Sequence, residues 1–321
     1  MPRPRKGESE IAADFLAHRG AWRGNAPHFL GSLADPDEAS LVLVGAPFDG
    51  TTSFLPGTRM APNRIREASV GLETYSPFLD RSLEEIRLAD LGDLELPFGN
   101  VSEALEMIEA ACRSIVDRGT KLILLGGEHL VTLPAVRACH SGYPDLAVVQ
   151  FDAHADLRAD YMGEHDSHAT VMRRIGEVVG SDSIFQLGIR SGTREEFAYG
   201  RAFSGIFQED LATGVRKTRE LLGERPVYVT VDIDVVDPGF APGTGTPEPG
   251  GCRPQELFQA LWALEGLNIV GFDVVEVNPL VDSGVVTSIL AAKIVREAAI
   301  LMGASDEETR ATFGGAETFG R

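Results

Sequence analysis

The sequence predicts a doubly wound α/β domain on a parallel sheet, and two patterns carry that prediction. Short apolar runs recur without strict alternation, as in strands covered on both faces. Amphipathic helical patterns lie between them, and strands alternating with helices imply parallel pairing. No Pro/Ser-rich linker and no repeat period divides the 321 residues. One domain is therefore expected over 39–305, with an N-terminal arm (1–38) and a C-terminal tail (306–321).

The elements follow in order. The arm is polar and rich in Gly, Pro and charge, and reads as an irregular lead-in. Leu41–Gly45 (LVLVG) is the first buried strand, closed by Gly-Ala-Pro. Further strands are expected at Lys121–Leu125, Leu146–Phe151, Ser183–Gly188, Val227–Ile233 and Asn268–Val275. Helical patterns include Val101–Val116, Pro254–Leu264 and Val286–Met302.

Composition narrows the function. Hydrophobic residues at 43% and charged residues at 24% exclude disorder as the main state. Twenty-nine basic against 48 acidic residues give a net charge of −19, a field that repels nucleic acid and anionic membrane and attracts cations, metal ions included. Three cysteines, Cys112, Cys139 and Cys252, have no paired spacing, which argues against disulfides and a thiolate zinc cluster. The start, MPRPRKGESEIAADF, has no apolar core behind its basic residues, and no run is long enough to span a membrane. A cytoplasmic protein is expected.

In parallel sheets ligands bind beyond the carboxyl ends of the strands, and the residues there are unusual. Gly126-Gly127-Glu128-His129 follows KLILL, and Asp152-Ala153-His154-Ala155-Asp156 follows LAVVQF. Asp232-Ile233-Asp234 closes VYVTV, and Asp273 through Pro279 (DVVEVNP) closes NIVGF. Extended backbone points alternate residues to one side, so Asp152, His154 and Asp156 should converge, as should Asp232 and Asp234. Carboxylates so gathered repel unless cations neutralise them. Two divalent ions would balance the four, with His129 and His154 each supplying a nitrogen. Oxygen-rich ligation with some imidazole and no thiolate suits Mn²⁺, with Ni²⁺, Co²⁺ or Fe²⁺ as substitutes. Two metals roughly 3.5–4 Å apart activate a bridging water, so hydrolysis is the expected chemistry. One DxHxD or one strand-end histidine is commonly structural; the coincidence of several such segments at strand ends is not.

These blocks resemble the ureohydrolase family of arginase, agmatinase, formimidoylglutamase and guanidinobutyrase. GGEH, FDAHAD, DIDVVDPGFAPGTGTPEPGG and FDVVEVNP match its signature segments, and the likeness runs from about Leu41 to Met302. It implies a three-layer arginase-like fold with a mainly parallel sheet of about eight strands, two Mn²⁺ per subunit, and hydrolysis of guanidinium-type groups. One metal would take His129, Asp152, Asp156 and Asp232, and the other Asp152, His154, Asp232 and Asp234. Asp156 would hydrogen-bond the bridging hydroxide and protonate the leaving amine. Glu276 would bind the guanidinium, and His168 would match the family's proton shuttle. A guanidinium loses resonance on attack, so an anchoring carboxylate and a nearby acid both make chemical sense.

Neighbouring residues invite plainer readings. His165 is a rival shuttle whose neighbour Glu164 equally fits an exposed, solvated role, whereas His168 opens a helix-like segment. His18, His28 and His140 read as surface or structural, and Asp237-Pro238 as a turn. Glu128 stands where the family more often has Asp, a change expected to leave His129 undisturbed. Thr244 and Thr246 are candidates for substrate contact, with a structural hydroxyl as the alternative for each. PGTG, SHAT and the segment Gly45–Arg66 look most like the agmatinases, which implies agmatine as the cationic substrate, urea and putrescine as products, and a trimeric or hexameric homo-oligomer. Arg158 is the contrary sign: it would suit a substrate carboxylate, as in guanidinobutyrate, unless it pairs with Asp160 or Glu164. Two readings of other classes fare worse. A non-catalytic regulator should have lost ligands, and a single-metal zinc deacylase needs fewer carboxylates.

Overall fold

The computed structural model describes residues 27–32, 34–203, 205–207 and 210–303. Most of the expected arm, with His18, and the tail lie outside the described residues. From 27–32, Phe29 packs into the core, its amide donating to Asp90 at 2.8 Å.

Eight parallel strands form one sheet among the described residues: β1 (Leu41–Gly45), β2 (Leu88–Asp93), β3 (Lys121–Leu125), β4 (Ala147–Phe151), β5 (Ile184–Leu187), β6 (Gly205–Phe207), β7 (Pro226–Asp232) and β8 (Asn268–Val275). Their spatial order is β2-β1-β3-β8-β7-β4-β5-β6, and every pairing in this sheet is parallel. A small antiparallel pair, Tyr75–Ser76 with Arg81–Ser82, stands apart.

Helices cover both faces. Along β1, Leu41 and Leu43 face one core and Val42 and Val44 the other, which is why the run is continuously apolar. The first core is closed by α1 (Ala61–Ser69), α6 (Leu211–Leu222), α7 (Pro254–Trp262) and α8 (Val286–Met302). The second is closed by α2 (Val101–Val116), α3 (Thr132–Gly142) and α4 (Val171–Val179), with α5 (Arg194–Phe203) against its margin. Asn100 starts α2 by accepting the Glu103 amide at 3.2 Å, and Pro254 opens α7 where its missing N–H costs nothing. Among the described residues no helix is long and apolar enough to cross a membrane.

Register positions the chemistry. Phe151 lies beside Val231, Asp232 beside Val275, and Val274 beside Leu125. The carboxyl ends of β3, β8, β7 and β4 are therefore level. The last two strands of the chain sit between β3 and β4, so the connections diverge there and leave a crevice.

Candidate metal centre and active site

All six expected ligands sit at or just past three of those level strand ends, β3, β4 and β7. His129 opens a 3₁₀ turn after β3. The preceding glycines let the chain pass close to its neighbour: a Cβ on Gly127 would lie 1.8 Å from the Phe48 carbonyl.

Convergence is achieved differently from strand alternation. Strand β4 ends at Phe151, and the Asp152 carboxylate accepts the His154 amide at 2.6 Å. Strand β7 ends at Asp232, whose carboxylate accepts the Asp234 amide at 2.8 Å. Both pairs are thus held by side-chain-capped turns. Asp156 reaches the cluster through a left-handed backbone, φ 53°. Glu276, φ 62°, does the same just past β8. Such conformations cost about 1–3 kcal/mol each and persist where the surroundings enforce them.

The resulting contacts are close. His129 Nδ1 lies 3.0, 3.2 and 3.4 Å from carboxylate oxygens of Asp152, Asp156 and Asp232. His154 Nδ1 lies 2.9 Å from Asp234 and 3.7 Å from Asp152. Ligand atoms of His129, Asp152 and Asp156 fall within 4.8 Å of one another, as do those of Asp152, His154 and Asp234, so Asp152 is shared. His129 Nε2 is 3.0 Å from Thr230 Oγ1, whereas buried Nδ1 has no hydrogen-bond partner. A ring donating through Nε2 keeps its lone pair on Nδ1, here aimed among three carboxylates. That arrangement repels unless a cation lies between them, so these residues fit a metal pair.

Titration behaviour shows the same demand for positive charge. Burial, then the charges of Asp234 and Asp156, push Asp152 up to about 7, and burial, then Asp234 and Asp152, raises Asp232 strongly. Burial alone would lower the histidines, but the carboxylates outweigh it, raising His129 and taking His154 to about 11. For Asp234 burial is outweighed by His154, and the group falls to about 2.

A cavity of about 310 Å³ opens on this floor and is lined by His154, Asp156, Asp232 and Glu276 below. Burial, then the charge of Glu128, raises Glu276, and its Oε1 accepts the His129 amide at 2.8 Å. The rim brings together His168, Arg158, Thr246, Ser53, Tyr161 and Glu196. His168 leads a 3₁₀ turn into α4, and burial lowers its pKa. His165 is exposed, held by Asp166 at 2.7 Å and by Arg174, and does not line this cavity. Thr246 Oγ1 lies 3.4 Å from Asp234, whereas the Thr244 hydroxyl is buried and unpartnered. Arg158 does form an internal pair, with Glu196 at 3.5 Å rather than Asp160 or Glu164, and lies over the Tyr161 ring. Asp237 shapes a turn as expected, accepting the amides of Gly239 and Gly250. His28 and His140 lie outside the cavity lining.

Glu128 is more than a bystander. It is fully buried and accepts the Thr51 amide at 2.9 Å and the hydroxyls of Thr51 and Thr52 at 2.5 and 3.0 Å. Burial pushes it up to about 7 against those donors. Thr51, Ser53, Tyr161 and Glu196 were not singled out by sequence reasoning, because loop hydroxyls and a helix-start glutamate carry no period or spacing signal.

Comparison with known proteins places the chain. The Arginase family model matches residues 39–301. A protein of Halalkalibacterium halodurans named agmatinase is 46% identical over 273 residues, covering 84% of this chain and 94% of that one. The crystal structure of agmatine ureohydrolase of Thermoplasma volcanium superposes with a TM-score of 0.79 at 36% identity, covering 89% of this chain and 96% of that one. A guanidinobutyrase of Pseudomonas aeruginosa is 35% identical, covering 84% of this chain and 88% of that one.

Proposed function

The chain belongs to the arginase family and is a ureohydrolase, and from that premise we propose that it hydrolyses agmatine to urea and putrescine with two bound Mn²⁺. His129, Asp152, Asp156 and Asp232 would hold one ion, and Asp152, His154, Asp232 and Asp234 the other. The donor set, oxygen-rich with two imidazoles and no thiolate, suits Mn²⁺, and Ni²⁺, Co²⁺ or Fe²⁺ as substitutes. When bound, the pair supplies water acidified toward neutrality as the nucleophile.

The chain's own residues do the remainder. Glu276 lies in the cavity beside Asp156 and Asp232, and its carboxylate receives the guanidinium N–H groups and aims the central carbon at the floor. Asp156 holds the proton of the attacking group and passes it to the departing amine, without which the tetrahedral adduct reverts. His168, neutral at physiological pH because burial lowers its pKa, returns protons between Asp156 and solvent.

The orphaned His129 Nδ1 among three carboxylates carries the metal assignment. The substrate assignment is supported by the 46% identical relative named agmatinase and by a lining in which Asp156 and Asp232 would face the ions and Arg158 is paired with Glu196, leaving Glu276 for the guanidinium. Arg158 in the lining also supports a second reading, a guanidino acid such as 4-guanidinobutyrate.

Urea release from Mn²⁺-loaded protein offered agmatine, L-arginine, 4-guanidinobutyrate and guanidine side by side tests both. Agmatine should be preferred, with two Mn²⁺ bound per chain. Preference for 4-guanidinobutyrate would move the assignment to the second reading, and full activity of metal-depleted protein would refute the metal centre.

A further inference from the structure

Behind His168 a continuous run of hydrogen bonds ends on a buried carboxylate. Thr51 Oγ1 lies 2.5 Å from Glu128 Oε1 and 3.3 Å from His168 Nδ1, and it also accepts the His168 amide at 3.1 Å. On the other side of the ring, Ser53 Oγ lies 3.3 Å from Nε2 and accepts from the Tyr161 hydroxyl at 3.3 Å. Glu128 also takes the Thr51 amide and the Thr52 hydroxyl on Oε2, so every group it faces here donates to it.

With Glu128 as the carboxylate, those facts set the direction of each bond. The Thr51 hydroxyl has one proton, and it is committed to Glu128. Its remaining lone pair facing the ring is satisfied only by a proton on His168 Nδ1. Neutral imidazole carries one N–H, so Nε2 holds a lone pair, and the Ser53 hydroxyl donates to it.

We propose that Thr51 and Glu128 are positioning residues that fix His168 as the Nδ1–H tautomer, leaving Nε2 as the atom that takes and releases the proton. Glu128 touches neither substrate nor the reacting atoms; it acts through Thr51, and Thr51 acts through the ring. The proton gained at Nε2 is the proton later given up there, so Nδ1–H stays with Thr51 throughout the cycle. Once Nε2 is protonated, the carboxylate-polarised Thr51 oxygen also stabilises the imidazolium, as an acceptor behind a working histidine does. The two residues also hold the ring against Tyr161, whose centroid is 5.5 Å away in an edge-to-face arrangement.

The proposal rests on His168 carrying protons in the hydrolysis proposed above. Thr51 is the informative position, because Glu128 adjoins a metal ligand. Mn²⁺-loaded wild type, T51V, T51S, H168A and the T51V/H168A pair would be assayed on the substrate that wild type prefers. T51V should lower kcat about ten- to a hundredfold, with KM and bound Mn²⁺ unchanged. T51S, which keeps the hydroxyl, should recover most of it. In the H168A background T51V should cost nothing further, since its effect passes through the ring. Wild-type kcat in T51V, failure of T51S to recover, or losses that multiply in the double variant would each overturn the positioning role. A wild type releasing no urea from any guanidino substrate would overturn the hydrolysis, and the positioning with it.

Discussion

Two groups of buried or partly buried carboxylates stand along the same sheet, and they are resolved in opposite ways. At the edge, Asp90 and Asp93 of β2 face Arg66 of α1, which is itself fully buried. Arg66 grips Asp90 through Nε and Nη2, both at 2.8 Å, and also reaches Asp93 and the Gly92 carbonyl. At the centre, Asp152, Asp156, Asp232 and Asp234 have only imidazoles as ion partners among the described residues. The edge group carries its own permanent cation and is a closed structural lock. The central group carries none, and that missing charge is what the proposed metal pair would supply. Burial of acids alone does not point to a metal centre; burial without an internal permanent cation does.

The contrast breaks most sharply under paired substitutions. Arg66→Met leaves buried Asp90 and partly buried Asp93 uncompensated and should cost about 3–5 kcal/mol in denaturant unfolding, by a similar amount with or without Mn²⁺. Asp152→Asn should lose the metals and reduce urea release roughly a thousandfold, about 4 kcal/mol of transition-state stabilisation. Yet metal-free Asp152→Asn should be no less stable than metal-free wild type, because the change relieves repulsion. If it unfolds as readily as Arg66→Met, the central cluster is a structural lock as well.

The same contrast explains what was legible in the sequence. Asp152, His154, Asp156, Asp232 and Asp234 stood out because acids at the ends of apolar strands have no packing role. Strand β2 did not, since LADLGD is broken by the very acids that Arg66, 24 residues away from Asp90, neutralises. The extended alternation expected for DAHAD is in fact a capped turn and a left-handed Asp156, which the residue names do not betray because neither is glycine. Thr51 and Ser53 lay within a segment that matched the family, but their roles depend on loops meeting across more than 70 residues of chain.

A pH series sharpens the comparison next. Without metal, His154 titrates near 11 when folded against the ordinary 6.5 when unfolded. A raised histidine adds stability that is complete below pH 6.5 and fades as pH rises toward 11. Asp152, raised to about 7 from 3.8, acts in the same sense, its charge becoming costly between those values. Metal-free protein should therefore lose stability steadily as pH rises from about 4 to 11. Loaded protein should gain over the lower part of that range, because deprotonated ligands bind metal more tightly. Thermal melts of both forms across this range check it, and parallel curves would show that protons and metals do not compete for the cluster.

The smallest effect concerns the rim, where Arg158 and Glu196 form a third, intermediate arrangement. The Arg158 side chain is 37% exposed and its pair with Glu196 spans 3.5 Å, so the charges are partly screened. Arg158→Ala does not orphan Glu196, which still accepts the amides of Leu157 at 3.0 Å and Thr193 at 2.8 Å. The pocket mouth instead becomes more negative. Agmatine, with its distal amine, should gain about two- to fivefold in kcat/KM, and 4-guanidinobutyrate should lose a similar factor. Raising salt should shrink both changes, as expected for a partly exposed charge. Arg158→Lys should stay near wild type for both substrates. If Arg158→Ala lowers both equally and salt has no effect, Arg158 serves by packing on Tyr161, and the choice of substrate is made deeper in the cavity.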